Sequence, residues 1–582
     1  VFRLRDDLFE AVFDMMIWCQ SDFRTRGLLS ACACICLILA GCSGEKKTPA
    51  GTASSTGSGP ATTENMDELG GTDDLLKSIL DMLKLDALGF TSNEDLVVGL
   101  VNQWQRQSQA KDNYHAEEPL DAATLSTLQA QLSADQITQV RRTAFNKYDI
   151  ERLRDLLLMR ASAQNAAGTL KTDLERVASV FHMLVRNSDL VANHPDEVPL
   201  SPFNLYLLGK MTVAERSWLF AELLRQLKID CVLLTTSKAQ ASPADSAWDA
   251  SQPFLIGVLV NKQVYLFDPL MGIPLTVPGV AGKTPEMATL AQVQADPKIL
   301  RQYDQEEGKP YRISAELLKA PHVLLCGDLS LWSYRLHRLQ VAFTGDRSVV
   351  ISDQLTDRND QPGLLTRVTN WPAKSWQAPQ IHVWAFPIMQ LTGLATLSAE
   401  QRHALERTID PLKMPLKAEV IKGKENSQEV RNPTSQFMLA RLDHARGHLN
   451  DAVKGYTLSL TRMQNPNFRD FPQRARIAYV KATEDIRFWI AVCKLDQDDQ
   501  RIGTDKLRLY LRSYPQGEWS DACHALLAET FAASGDFAAA LDEISRISPE
   551  HPQQPGFAIQ KRKWAEAAKA TEGAKDKSAK AP

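Results

Sequence analysis

The sequence predicts an α+β protein: a helical N-terminal region, a core with a small antiparallel sheet, and a C-terminal array of helices. Three observations predict it. Apolar residues recur three and four apart in LLKSILDMLKL (75–85) and DLERVASVFHMLVRN (173–187), the period of an amphipathic helix. Short runs rich in β-branched and aromatic residues follow: CVLLTT (231–236), PFLIGVLV (253–260) and QVYLFDP (263–269). Such runs bounded by turn residues read as strands. Helical spacing then returns over 432–566.

The N-terminal part reads as an address rather than a fold. Arg24, Arg26 and Gly27 precede an apolar stretch that starts at Leu28 and ends in Leu39-Ala40-Gly41-Cys42. A basic flank, a short apolar core and small residues before the end make the layout of a secretory signal. The apolar core, about 13 residues, is too short to span a hydrocarbon layer of roughly 30 Å. A buried helix is the competing reading. The Leu-Ala-Gly-Cys ending resembles the bacterial lipobox, whose cysteine is lipidated and becomes the mature N-terminus. The resemblance implies a signal peptide over 1–41 and a lipid on Cys42. It implies an exported lipoprotein, anchored to a membrane on the periplasmic side of a bacterial cell envelope. Residues 1–15 mix acids and bases unlike a signal; a true start at Met15 or Met16 accounts for them.

Residues 42–65 are rich in Ser, Thr, Gly and Pro and cannot bury enough apolar surface to order themselves. They read as a lipidated tether with a reach of roughly 25 Å. A helical region follows over 66–187, with Asp135 as the expected N-cap of QITQVRRTAF. The core spans 188–300: AERSWLFAELLRQLKI (214–229) reads as an amphipathic helix, and Asn261-Lys262 as the turn of a hairpin between 253–260 and 263–269. Over 301–430 the segments HVLLCG, RSVVISD and IHVWAFPI read as strands and LWSYRLHRLQVAF (331–343) as a helix, an α+β segment. Residues 431–567 return to helix. The Lys/Ala-rich end, 568–582, reads as a disordered tail.

Composition narrows the function. The net charge of −4 gives no basic excess for nucleic acid. Past Cys42 the cysteines are Cys231, Cys326, Cys493 and Cys523, far apart and without CxxC spacing. They read as buried thiols, with one Cys493–Cys523 bond as the alternative. Ala281-Gly282-Lys283-Thr284 lacks the glycine a phosphate loop needs, because Val277 stands there. His444 and His448 are four apart but lack a third ligand. No cofactor and no metal site is expected.

The C-terminal helices carry a repeat. Leu527, Ala528, Phe531, Gly535, Phe537, Ala540, Ile544 and Pro552 fall on the spacings of the tetratricopeptide pattern, as do Leu439, Ala440, Gly447, Leu449, Ala452 and Tyr456. A unit around Ile490, Ala491, Leu507 and Pro515 is degenerate and lacks the turn glycine. The resemblance implies a tetratricopeptide-like α-solenoid of antiparallel pairs, with Ala440, Ala452, Ala528 and Ala540 at close crossings. It should form a unit with few long-range contacts to the rest.

The stretch 181–269 resembles the transglutaminase-like, papain-related fold. Within MTVAERSWLFAELLRQLKIDCVLL, the residues Phe220, Leu223, Leu224, Arg225 and Ile229 are in register with that family's nucleophile helix. Asp268-Pro269 falls on its acid. The resemblance implies a transglutaminase-like core with a degenerate triad. Val213 holds the nucleophile position and has no group to deprotonate. Phe254, with Leu255 and Ile256, replaces the histidine strand, and no histidine lies between His194 and His322. In this register Val213, the strand at 254–256 and Asp268 should lie side by side. Asp268 without a histidine partner reads as a turn or cap residue. Cys231, in an apolar run, reads as a small buried hydrophobe. Glu215, Arg216, Cys231 and Asp268 are the expected pocket residues; for Glu215 and Arg216 a capping acid and a structural ion pair compete. AERSWLFAELLRQLKID and VFHMLVRN are also similar to a motif of planctomycete-type envelope lipoproteins with tetratricopeptide-like helices. The whole reads as a membrane-anchored binding or scaffold protein, with an inactive transglutaminase-like domain and helical repeats for protein or peptide partners. The alternative is a cysteine-type peptidase or acyl transferase with relocated catalytic residues.

Overall fold

The structure, a computed structural model, describes residues 71–84, 94–108, 115–192, 198–235, 254–278, 285–305, 309–358, 361–414, 419–422, 428–431, 436–463 and 472–579. Cys42, the apolar stretch before it, the tether and His194 lie outside the described residues.

From the N-terminal side come α1 (Thr72–Met82), α2 (Glu94–Ser108), α3 (Ala122–Gln129), α4 (Ala134–Arg141), α5 (Lys147–Ala167) and α6 (Asp173–Arg186). The middle holds β1 (Asp189–Leu190), α7 (Pro202–Leu208), β2 (Lys210–Met211), α8 (Val213–Gln226), β3 (Asp230–Thr235), β4 (Phe254–Val260), β5 (Gln263–Asp268), β6 (Ile273–Pro274) and α9 (Leu290–Ala295). Next are α10 (Ala315–Lys319), β7 (His322–Leu325), α11 (Tyr334–Ala342), α12 (Leu364–Thr369), β8 (Ile381–Val383), α13 (Ala385–Ala395), α14 (Ala399–Ile409), β9 (Glu419–Lys422) and β10 (Gln428–Arg431). The chain closes with α15 (Gln436–Ala445), α16 (Leu449–Met463), α17 (Gln473–Asp496), α18 (Gln500–Ser513), α19 (Ser520–Ala533), α20 (Phe537–Ile544) and α21 (Gln554–Ala579).

Local chemistry sets the helix starts. Thr172 with Glu175, and Thr212 with Glu215, form reciprocal capping boxes at α6 and α8, each satisfying two amide groups the helix leaves unpaired. At α4 the cap is Ser133, boxed with Gln136, and not Asp135. Asp135 sits inside the first turn, where its charge favours the helix dipole.

The main sheet has the order β6-β5-β4-β3-β7-β8. It is mixed, not purely antiparallel as expected, because β7 and β8 run parallel. A parallel partner needs a crossover connection, and the chain makes it through α11 and α12. These two strands come from the 301–430 segment, so that segment completes the sheet begun in 188–300. The expected hairpin is present: Val260 pairs with Gln263, and Asn261 and Lys262 take φ of 51° and 62°, as a two-residue turn of mirror-image type requires.

Two expected strands differ. RSVVISD makes no strand; Val350 N–H donates to Gln226 Oε1, and Ile351 and Ser352 N–H donate to Gln340 Oε1. Side chains satisfy this backbone, so no ladder is needed. In IHVWAFPI the strand stops at Val383 and α13 begins at Ala385, with Pro387 in the first turn, where it displaces no helical bond.

Alternation divides the sheet into two faces. Cys231, Leu233, Phe254, Ile256, Val258 and Phe267 join one core with residues of α5, α6 and α8. Val232, Leu234, Leu255 and Leu266 join a second core with residues of α9, α10 and α12.

The first core also contains Leu442, Tyr456, Trp489 and Leu527, so the C-terminal helices are not the separate unit expected. Arg441 at their start donates to the Tyr206 and Leu207 carbonyls at 3.1 and 2.8 Å. At their end Arg562 donates to the Gln302 and Asp304 carbonyls. Three residues join α15 to α16, α17 to α18 and α19 to α20, and so short a connection makes these neighbours antiparallel. Gly447 and Gly535 take positive φ at two turns. In the degenerate unit Asp498, at φ 61°, takes the left-handed position in place of glycine. Ala440, Ala452, Ala528 and Ala540 are fully buried. A Cβ on Gly455 would meet the Ala440 Cβ at 2.9 Å, so α15 and α16 cross closely. The segment expected as a disordered tail carries the end of α21 as far as Ala579, consistent with the high helix propensity of Ala, Lys and Glu.

Candidate functional site

Of the expected pocket residues, the structure brings Arg216 to the turn that follows Asp268 and sets Cys231 apart at the other end of α8. Glu215 is a capping residue: its carboxylate accepts from Thr212 N–H at 2.8 Å and Thr212 Oγ1 at 3.0 Å. Arg216 is completely buried. It donates to the Pro269 carbonyl at 3.1 Å, Gln553 Oε1 at 3.0 Å and the Ser188 carbonyl at 3.1 Å. Burial pulls its pKa down to about 9, against the opposing pull of Asp189. Arg216 thus stitches α8 to β1, to the turn after β5 and to the C-terminal helices.

Val213 packs against the same core as Phe254. Asp268 does not join them. Its neighbour Phe267 faces α8, and alternation sends Asp268 to the other side. There Oδ2 accepts from Tyr311 at 2.7 Å and Oδ1 from Arg312 at 2.7 Å. Oδ1 also accepts from the Leu270 and Met271 amides at 2.9 and 3.0 Å, a turn cap. Arg312 reaches the Phe254 carbonyl too, at 3.2 Å, so Asp268 and Phe254 are neighbours through backbone, while Asp268 and Val213 belong to opposite faces.

Cys231 stands at the other end of α8, beside Arg225, in the wall of a cleft of about 450 Å³. Lys228, His337, Asp353 and Arg367 line it with them. Behind this cleft lies a buried ion network. Glu222, with no exposure, bridges Arg152 at 2.6 Å and Arg225 at 2.9 Å. Arg152 also meets Asp328 at 2.9 Å. At the cleft itself Arg367 binds Asp230 at 2.7 Å and Asp353 at 3.0 Å. Flanking guanidinium groups hold the Glu222 carboxyl below its ordinary range despite the opposing effect of burial.

The chemistry at Cys231 is set by burial, which pushes the thiol up to about 12, with Arg225 opposing. A thiol at that value is almost wholly protonated at neutral pH, and the thiolate is the nucleophile. Burial, then Arg358 and Arg338, lower the His337 imidazole, which therefore stays neutral. The two groups are not hydrogen-bonded to each other.

A second, more enclosed cavity of about 100 Å³ lies between α6 and the C-terminal helices. Phe181, Phe267, Phe488 and Trp519 form apolar wall, and His182, Glu529 and the Asp189–His551 pair, 3.0 Å apart, form polar wall. Burial and Arg186 lower His182 to about 4.

Among the described residues no group of three or more His, Cys, Asp or Glu is placed to hold a metal ion, and no helix is long and apolar enough to cross a membrane. His444 is paired with Asp496 at 2.9 Å, whereas His448 faces Asp443. The sequence carries a signal for the ion network that periodicity alone does not expose: Glu222 and Arg225 stand among the large apolar residues of α8, and charges buried there must find partners. No protein-family model, curated protein or solved structure matches the chain.

Proposed function

We propose that the chain is a membrane-anchored envelope protein that binds or scaffolds other proteins, with a catalytically inactive transglutaminase-like core. The observation that carries the anchoring is Leu39-Ala40-Gly41-Cys42 after a short apolar stretch. Two things support the inactive core: valine at position 213, and protonated, buried thiols. Support for protein binding comes from α17, where Ile477 and Val480 are 63% and 59% exposed and three apart, hence on one face. Two large apolar side chains exposed side by side are the nucleus of the kind of apolar patch that interaction surfaces present.

The test has two arms. Cys42→Ser is expected to abolish lipid labelling and leave the unprocessed precursor; processed, lipid-labelled protein from that variant refutes the anchor. In intact membranes, a photo-crosslinker near α17 is expected to capture discrete protein partners. Ile477→Lys with Val480→Lys should remove them without changing the melting temperature, and unchanged capture refutes that surface.

The second reading, a cysteine-type peptidase or acyl transferase, is favoured by one observation: Cys231 and His337 line the same cleft. Rapid labelling of Cys231 by a mild electrophile, in native protein kept reduced, would support it. The raised thiol pKa predicts slow labelling instead.

A further inference from the structure

Two of the four described cysteines lie at the end of the β3–β7 ladder, at positions its register sets opposite one another. Strands β3 and β7 are antiparallel, with Leu233 opposite Leu324 and Val232 opposite Leu325. The next step along the same register sets Cys231 opposite Cys326, the first residue beyond β7. Two steps along a strand restore the same face. Leu233, Leu324, Cys231 and Cys326 accordingly share one core. Arg225 ties the place together: its guanidinium donates to the Cys326 carbonyl and acts electrostatically on both thiols, which also act on each other. Residues directly opposed in an antiparallel pair have Cα atoms about 4.5–5.5 Å apart, inside the range of about 4.4–6.8 Å that a disulfide spans. The other two cysteines share no such register. Cys493 on α17 donates to the Leu449 carbonyl at 3.5 Å, and Cys523 on α19 senses Asp189 and Glu484.

We propose that Cys231 and Cys326 are an oxidisable cross-strand pair that closes to a disulfide when the chain meets a disulfide-bearing oxidant, either a small-molecule disulfide or an exchange protein. Cys231 is the entry point, because it is 8% exposed and lines the cleft, whereas Cys326 is 1% exposed. The Cys231 thiolate, once its proton has gone to solvent, attacks the oxidant and releases one thiol. The Cys326 thiolate then displaces the second thiol from the mixed disulfide. Two protons and two electrons leave the pair, one S–S bond forms, and the oxidant is reduced to two thiols. The bond joins β3 to the segment that carries Asp328, and so to the ion network around Arg152. The pairing follows from strand register and does not depend on export; an exported chain would meet the oxidant during folding.

The test uses the full chain, purified with reductant and equilibrated in oxidised glutathione. One sample stays folded and one is unfolded and refolded in the same buffer. Both are quenched in acid, alkylated under denaturing conditions and mapped by mass after proteolysis. The expected result is a Cys231–Cys326 linked peptide in at least one sample, lost on reduction. Cys326→Ser should yield Cys231 free or as a glutathione adduct, and no link. Both cysteines alkylated in both samples would overturn the inference. So would separate glutathione adducts on the two in the unmodified sequence, or links from either to a third cysteine.

Discussion

Asp485 offers a quantitative test of how the C-terminal helices carry buried charge. It is 6% exposed on α17 and accepts from Trp519 Nε1 at 2.7 Å. Burial pushes its pKa from 3.8 up to about 6; Trp519, Lys481 and Lys210 oppose this and Glu518 adds to it. The folded-state value lies above the unfolded one, so the folded protein binds more protons. Asp485 therefore favours folding most at low pH, and that contribution is lost as pH rises from about 4 through 6. At about 1.4 kcal/mol per pH unit, ionisation in place costs roughly 3 kcal/mol at pH 7.5 and roughly 1 kcal/mol at pH 4.5. Asp485→Asn keeps an acceptor for Trp519 and removes the charge. The new amide donor brings its own desolvation cost, the same at both pH values. The stability of the variant relative to the parent should accordingly be about 2 kcal/mol more favourable at pH 7.5 than at pH 4.5. Urea unfolding followed by far-ultraviolet circular dichroism at the two pH values measures it. A difference of zero, or one of opposite sign, would refute the reasoning.

Glu222→Gln leaves Arg152 and Arg225 short of a carboxylate in the interior and should cost about 3–5 kcal/mol, read from the urea midpoint. Ala540→Phe overpacks the crossing of α19 and α20, where Ala540 has no exposure, and should cost about 1–3 kcal/mol in the same assay. Lys262→Gly relieves a side chain held at positive φ in the β4–β5 turn and should stabilise the protein by about 0.5–1 kcal/mol; a lower melting temperature would contradict the turn assignment.

The parts of the fold that depend on near neighbours were legible. The Asn261-Lys262 turn, the helix over 173–187 and the helix at α8 follow from turn chemistry and period, which act within a few residues. RSVVISD has the composition of a strand, yet its amides are taken by Gln340 and Gln226, and Gln226 is more than a hundred residues away in sequence. No window of sequence holds that information. The ion network is equally non-local, since Arg152, Glu222 and Asp328 come from α5, α8 and the segment after β7. Arg216 was singled out in the sequence; its three acceptors lie on three separate elements. Asp268 was placed correctly in the chain as a turn residue, but the face it occupies is decided by β5 pairing and by Tyr311.

The attachment of the last helices at both ends has a mechanical consequence. A free superhelical stack can lengthen and recoil, and each partner it grips must be repaid for stilling that motion. Here Arg441 fastens the first of these helices to α7, Gln553 just before the last is held by Arg216 of α8, and Arg562 of the last reaches the Gln302 and Asp304 carbonyls beside Tyr303 of the second core. The helices are therefore tied to the core near both ends of their run. Their placement is then set by the core as well as by the packing of each helix on the next. A partner of the kind proposed for α17 would meet a surface already at its final shape, and substitutions in the core, far from that contact, should alter the fit by moving the points of attachment.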